Sequence, residues 1–378
     1  MPTTTPADGA VMTRRQLNRS LLARQLLLER STMTTPAALE HLVGMQSQVP
    51  AHPFIALWSR LAGFETDDLS RMMLDRTAVR TLLMRGTIHL VTADDCLRLR
   101  PIMQELYERL FPAIAAFGPN VAGMDLDALL AAGRAHLEAQ PRTGKALAAL
   151  LAGQWPERDP ASMSQAVRHY LPLVQVTPRG VWGKSQQATW TTVEAWLGRG
   201  VDEGTAPDAT ILRYLAAFGP ATVADVQTWS RLQGLREPIE RLRPRLRVYR
   251  NERGQELFDV PGAPFPDPET PAPPRFLPVY DNALLSHADR TRIIADEHRQ
   301  AIATPNGLFD ATFLIDGVVA GVWKVEQARK PSRAILRLQP FAPLTGADRE
   351  ALEAEGERLL FFLAPGAETR EVAWREDR

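Results

Sequence analysis

Asp208-Ala209-Thr210-Ile211-Leu212-Arg213-Tyr214-Leu215-Ala216-Ala217-Phe218-Gly219-Pro220-Ala221-Thr222 opens the stretch that decides the fold, which runs on to Val260. Ile211, Leu212, Leu215 and Phe218 recur at helical spacing, and Gly219-Pro220 ends the helix. Thr222 then caps a second helix carrying Val223, Val226 and Trp229, and a third helical segment holds Ile239 and Leu242. Leu246 to Tyr249 and Glu256 to Val260 read as two short strands around the turn Asn251-Glu252-Arg253-Gly254. Helix, helix, helix and two-stranded ribbon is the order of a winged helix.

The same order occurs twice more, working toward the N-terminus. Leu126, Leu129, Leu130 and Leu137 mark a helix, Thr143 opens a second, and Ser162 to Tyr170 is a third. Leu173 to Val176 and Val181-Trp182 then flank the turn Pro178-Arg179-Gly180 as a wing. In the first copy a helix runs through Leu17, Leu21, Leu22 and Leu26, and Thr35-Pro36 caps the next. Its wing is expected over Val79 to Leu83 and Thr87 to Val91 around Met84-Arg85-Gly86, with Thr92-Ala93-Asp94-Asp95 as a capping-box variant starting the helix that leaves it. Pro261 to Pro274 is a proline-rich boundary. Beyond it Phe309 to Leu314 and Val318 to Val325 alternate around Asp316-Gly317, Ala334 to Leu338 gives another strand, and Asp348 to Phe362 an amphipathic helix. The expected class is α+β: winged helices over 12–118, 119–200 and 201–262, and a small β-barrel-like unit over 263–378.

Composition bounds the function. Lys and Arg together number 44 and so do Asp and Glu, so capture of nucleic acid by the charge of the whole molecule is excluded and any DNA affinity must come from local patches. No apolar run reaches the roughly eighteen residues of a membrane span, and the polar start from Met1 to Ala10 is unlike a signal peptide, so a cytoplasmic protein is expected. Cys96 is the only cysteine, which leaves no intramolecular disulfide and no cysteine zinc site. The histidines lack the spacing of a metal motif, and neither metal nor cofactor is expected. The only lysines are Lys145, Lys184, Lys324 and Lys330, which favours a water nucleophile over a Schiff-base amine. Codon bias takes the larger share of the arginine excess, although arginine also suits forked contacts to phosphate.

A winged helix alone licenses contact with DNA or protein, because the fold serves regulators far more often than enzymes. Gln46-Ser47-Gln48 is the candidate for chemistry. Pro50 keeps Val49 out of helical geometry, so both amides fall at a helix exit or in the loop beyond it, where two side chains one residue apart can face one cleft. Read by itself, such a pair is more often an ordinary polar loop than a site, since it lacks the charge of usual acid–base groups.

His41-Leu42-Val43-Gly44-Met45-Gln46-Ser47-Gln48, Leu57-Trp58-Ser59-Arg60-Leu61, Met84-Arg85-Gly86-Thr87-Ile88-His89-Leu90-Val91 and Tyr280-Asp281-Asn282 to Ser286-His287-Ala288-Asp289-Arg290 resemble the family of winged-helix DNA glycosylases that includes AlkZ, of the azinomycin-resistance type, and bacterial YcaQ. The likeness covers about Arg14 to Leu363. It implies three tandem winged helices, a C-terminal barrel, a basic channel and a catalytic pair of glutamines flanking a hydrophobic residue. Gln46 and Gln48 match the pair, whereas Ser47 departs from the pattern and puts the packing of the loop in question. The YcaQ branch is expected to carry aspartate at the second position, so Gln48 places the chain nearer the AlkZ branch.

Neutral amides suit a substrate that is already activated. An N7-alkylguanine or N3-alkyladenine carries positive charge on the base and leaves without protonation, so the enzyme has only to stabilise an oxocarbenium-like sugar and place a water. The expected partner is double-stranded DNA carrying alkylated purines, with bulky toxin adducts or interstrand crosslinks included, handled by a monomer. The candidate DNA contacts are Arg85, Arg179, Lys184, Arg243, Arg245, Arg247 and Arg250, the last four from an arginine cluster opposed in sequence by Glu237, Glu240 and Glu252. Thr87, His89, Asp281, His287 and Arg290 are candidate supporting groups. Two alternatives stay open, a non-enzymatic DNA-binding regulator or sequestering resistance protein, and a protein-interaction module.

Overall fold

The computed structural model describes residues 6–302, 310–329 and 332–375. Among these the strands, in chain order, are β1 (Val11–Met12), β2 (Met45–Gln46), β3 (Ala78–Leu82), β4 (Ile88–Thr92), β5 (Arg142–Thr143), β6 (Leu173–Gln175) and β7 (Thr189–Thr192). There follow β8 (Arg247–Asn251), β9 (Glu256–Asp259), β10 (Arg275–Leu277), β11 (Ala311–Ile315), β12 (Val318–Arg329), β13 (Ser332–Pro340) and β14 (Thr369–Trp374). They make three sheets, in the orders β2-β4-β3-β6-β7-β5, β1-β8-β9 and β10-β11-β12-β13-β14. Phe309, expected to begin a strand, and Lys330 lie outside the described residues.

Local sequence accounts for most elements. Thr13, Thr143, Thr192 and Thr222 each accept a backbone N–H at the start of a helix, as hydroxyls at the cap position do. At the second helix the cap is Thr34 rather than Thr35, with Pro36 inside the first turn. Thr92 caps the helix Ala93–Ile102 by accepting from Asp95 N, without the reciprocal half of a capping box. β8 and β9 fall where the sequence puts two strands, and the turn Asp316-Gly317 has φ of 44° and 77°, the left-handed pair that a tight hairpin needs.

Three expectations are corrected. The partner of β6 is β7 at 189–192, not Val181-Trp182. Trp182 is drawn instead into the core, with ring centroids 5.0 Å from Phe54 and 5.4 Å from Phe362, so the intervening segment is a long loop. Second, the hairpins of the first two segments are not separate: β3 pairs with β6 through Arg80↔Gln175 and Thr81↔Val174, giving one continuous sheet. Third, the C-terminal unit is an open sheet and not a barrel. The helix Gly346–Leu363 is a crossover that delivers β14 parallel to β13 at the outer edge, leaving β10 and β14 unpaired with each other.

Packing binds the segments together. One hydrophobic cluster draws Leu21, Val91, Val174, Leu215, Trp229, Leu284 and Leu314 from all parts of the chain. The proline-rich boundary is pinned too, since Thr270 O accepts from the buried Arg19 and Phe265 packs on Tyr249. Two ion pairs are fully enclosed: Arg24 with Asp259 at 2.6 Å, and Arg60 with Asp281 through two bonds of 2.7 and 2.8 Å. Each satisfies forked donors with a carboxylate, the arrangement that makes a buried charge tolerable.

Candidate active site

The chain enters the glutamine segment through a forced turn. The helix Thr35–His41 ends, Val43 and Gly44 take φ of 54° and 79°, and the strand β2 begins. A Cβ on Gly44 would lie 2.4 Å from Val91 Cγ1, so only glycine fits both the left-handed backbone and the close approach to β4. β2 then pairs antiparallel with β4, Gln46 opposite His89, at an edge of the six-stranded sheet.

The strand ends at Gln46, and the chain passes through Ser47 into a bend at Gln48. Ser47 is fully buried. Its hydroxyl accepts from Arg80 Nε at 3.0 Å and its carbonyl from Arg80 Nη2 at 2.6 Å, while Arg80 Nη1 donates to Gln175 Oε1 at 2.5 Å. This answers the departure at the middle position: a hydroxyl is required where a buried guanidinium, and not an apolar wall, lies behind the loop. Burial, with Arg179 nearby, pulls the Arg80 pKa down to about 9, which leaves it a cation at neutral pH. Gln48 is exposed, and its Oε1 takes only a long contact of 3.4 Å from Ile88 N.

Gln46 is nearly enclosed, and its Oε1 accepts from Arg85 Nη2 at 2.9 Å. Arg85 sits at the hairpin tip with φ 60° and turns its guanidinium inward, where it also donates to Trp229 O at 3.0 Å and Asn282 Oδ1 at 2.8 Å. His89 Nδ1 lies 3.0 Å from Thr87 O and its Nε2 3.2 Å from Arg85 Nη2. A carbonyl accepts and an arginine donates, so His89 carries its proton on Nδ1. Burial and the adjacent Arg85 push its pKa down to about 3, so it stays neutral. Burial, with Arg290 next in importance, lowers Arg85 to about 9.

The other candidates are distributed unevenly. Asp281 lies in the ion pair with Arg60 and caps the short helix Asn282–Leu285, which carries Asn282 to Arg85. His287 is buried, its Nε2 3.0 Å from Phe218 O, in an aromatic cluster with Tyr214 and away from Gln46's hydrogen bonds; burial first, then Arg292, lowers its pKa. Thr87 Oγ1 donates to Met84 O at 3.2 Å within the hairpin. Arg290 is partly buried, with Nε lacking a hydrogen-bond partner among the described residues. Arg179 donates to Gln186 O at 2.6 Å, and Lys184 is exposed on the same loop.

The arginine cluster of 231–253 is more neutralised than its sequence suggests. Arg243 pairs with Glu240 and Glu256, Arg241 with Asp208 and Glu237, and Arg247 with Asp8. Asp8 and Asp208 come from earlier parts of the chain and Glu256 from the next strand, all outside the stretch 231–253, which is why counting the acids within it underestimated them. Arg245 is exposed and Arg250 donates to Gly254 O at 2.9 Å in its own hairpin. Two positions of the hydrogen-bonded frame behind the glutamines went unread in the sequence: Arg80, hidden as one more strand residue, and Asn282, visible only as part of a quoted run.

The polar cradle lies buried behind an edge strand, on a scaffold of helices and hairpins. Streptomyces sahachiroi DNA glycosylase AlkZ has that fold: its solved structure is similar over 97% of this chain and 100% of its own, with a TM-score of 0.75 at 21% identity. The chain belongs to the AlkZ-like DNA glycosylase family, whose sequence profile matches residues 39–362, and is thus an enzyme acting on N-glycosyl bonds in DNA rather than a regulator or an interaction module. A curated relative, described as an interstrand DNA cross-link repair glycosylase of Streptomyces sahachiroi, is 25% identical over 334 residues, covering 82% of this chain and 87% of its own. No helix among the described residues is long and apolar enough to cross a membrane.

Proposed function

We propose that the protein is a monofunctional glycosylase that excises cationic N-alkylated purines, N7-alkylguanine and N3-alkyladenine, from double-stranded DNA, with Gln46 and Gln48 as its catalytic residues and without metal or cofactor. The observation that carries this is the split between the two amides, one fixed from behind by Arg85 and the other exposed with an oxygen still able to accept. An amide oxygen has two lone pairs, so Gln48 can hold a water beside the anomeric carbon while its long contact to Ile88 persists. Nothing in such a site is acidic enough to protonate a leaving group, which restricts it to bases that alkylation has already made cationic. The crosslink named for the curated relative extends the class to bulky and two-armed adducts. In this reading the three helix–helix–helix–hairpin segments are winged helices that hold the duplex.

The test is release of free base from methylated DNA, followed by mass spectrometry. Gln46→Ala and Gln48→Ala should each slow excision by about a hundredfold, the order lost when an electrostatic or positioning group is removed. Abasic sites should break only after alkali, and borohydride should trap no protein on DNA. Efficient trapping overturns the water mechanism; excision at the parent rate by both folded variants overturns the glutamine pair.

A further inference from the structure

We infer that Arg85 is the positioning residue that sets which end of the Gln46 amide meets the DNA, holding Oε1 inward so that the NH2 is the end offered to substrate. The inference rests on the reading of Gln46 as part of the site. A glutamine side chain can ordinarily be turned over without visible consequence, because its oxygen and nitrogen are nearly alike in shape. Here the partner removes the ambiguity. Arginine has donors and no acceptor, so the atom 2.9 Å from Arg85 Nη2 must be the oxygen.

Arg85 cannot swing away to release it, because its other partners are themselves oriented. Asn282 donates Nδ2 to Gly44 O at 3.2 Å, which aims its Oδ1 at Arg85. His89 gives its Nδ1 proton to Thr87 O, which leaves Nε2 bare toward Arg85. Trp229 O holds the other terminal nitrogen. Nη2 has two N–H groups for three of these acceptors, so Asn282 Oδ1 and Gln46 Oε1, at 2.8 and 2.9 Å, take them and His89 Nε2, at 3.2 Å, shares one. All four acceptors are neutral, so the positive charge stays unquenched and polarises the Gln46 amide through its oxygen, making the NH2 a stronger donor. Gln46 Nε2 donates to no group among the described residues and is not among the atoms sealed from solvent.

A donor beside the anomeric carbon cannot stabilise the sugar cation, which calls for negative charge. It can stabilise the departing purine. When the C1′–N9 bond breaks, its electron pair stays with the purine and the alkylated base leaves neutral, with density gained on its ring acceptors. Water bonds to C1′ and passes a proton to solvent past the Gln48 oxygen. The two glutamines then divide the work, Gln46 donating to the leaving base and Gln48 accepting from the nucleophile.

Single-turnover excision and DNA affinity, measured separately on the full chain, test the assignment. Gln46→Glu keeps an oxygen on Arg85 but replaces the donor with an anionic acceptor, and should lose about as much rate as Gln46→Ala. Arg85→Met should cost about tenfold or more in rate, the order for a charge-assisted hydrogen bond, with DNA affinity unchanged. Arg85→Lys should recover part of it, and adding Gln46→Ala to Arg85→Met should cost little more, since the two act as one unit. Parent-like excision by Gln46→Glu overturns the inference, as does additivity in the double variant, or an Arg85→Met loss that lies in affinity and salt dependence, which would make Arg85 a phosphate contact. Should Arg85→Met not fold, Gln46→Glu decides alone. Parent-like activity of Gln46→Ala would instead remove the catalytic glutamine reading itself.

Discussion

The hairpin β3–β4 and the hairpin β8–β9 are the same element used in opposite ways. In the first, the tip arginine takes a left-handed backbone and turns inward, so that Arg85 meets four neutral acceptors, Gln46, His89, Asn282 and the Trp229 carbonyl. In the second, the arginines face out and meet carboxylates: Arg247 has Asp8 and Arg253 has Asp289, and Arg243, in the turn that leads into β8, has Glu240 and Glu256. An enclosed guanidinium without a counter-ion keeps its field for whatever binds. An exposed one beside a carboxylate is largely cancelled and screened. Arginine count is therefore a poor guide to where such a protein deals with DNA.

The largest expected effect compares an ion pair in the frame behind the inward hairpin, Arg60 with Asp281 at the cap of the helix that carries Asn282, with one on the outward hairpin. Asp281→Ala leaves Arg60 buried without its carboxylate and should cost about 3–5 kcal/mol of stability, while Asp8→Ala, which frees the exposed Arg247, should stay within about 1 kcal/mol. Urea unfolding of both variants measures this directly. Equal shifts in midpoint would erase the distinction between an enclosed frame and a surface pairing.

A smaller effect is the pH dependence that only the inward hairpin carries through its histidine. Enclosure holds His89 at about 3, against about 6.5 in the unfolded chain. Between those values the unfolded state binds a proton that the folded state does not, so the stability present above pH 6.5 is lost as pH falls toward 3. At about 1.4 kcal/mol per pH unit, acidification from 6.5 to 5 costs roughly 2 kcal/mol from this one group. His287, also lowered by burial, adds to the same trend. Denaturant titrations at pH 7 and pH 5 should show a steeper loss for the parent than for His89→Gln. Parallel losses would mean that His89 is protonated in the fold.

Much of the architecture was legible because it depends on local chemistry. Apolar periodicity marks the helices 126–139, 144–152 and 208–218, the hydroxyl of Thr143 caps the second of them, and paired left-handed residues mark the turn at Asp316-Gly317. What sequence could not supply is long-range pairing. That β3 joins β6, that β14 comes to the outer edge of an open sheet, and that Trp182 leaves a wing for the core are decided by packing between distant segments. The candidate site divides the same way. Gln46 and Gln48 stand out as a motif, but the frame behind them is assembled from Arg80, Arg85, Gln175, Trp229 and Asn282, none of whose spacings in the chain carries a period.

The smallest expected effect sharpens the contrast from the outward side. Were Arg243, Arg245 and Arg247 all bound to phosphates, replacing the three with Ala would lower the slope of log affinity against log salt by about 2.7, at roughly 0.9 per contact on duplex DNA. Two of the three are already matched by Glu240, Glu256 and Asp8, which leaves Arg245 as the exposed member without a carboxylate hydrogen bond among the described residues. The triple variant should therefore change the slope by about one contact, near 0.9, and weaken binding alike on all sequences, because phosphates carry no base identity. Excision of an already bound lesion should hardly change. A slope change near three contacts would mean that DNA strips these arginines from their carboxylates, and the outward hairpin would then be a binding arm as strong as its sequence suggests.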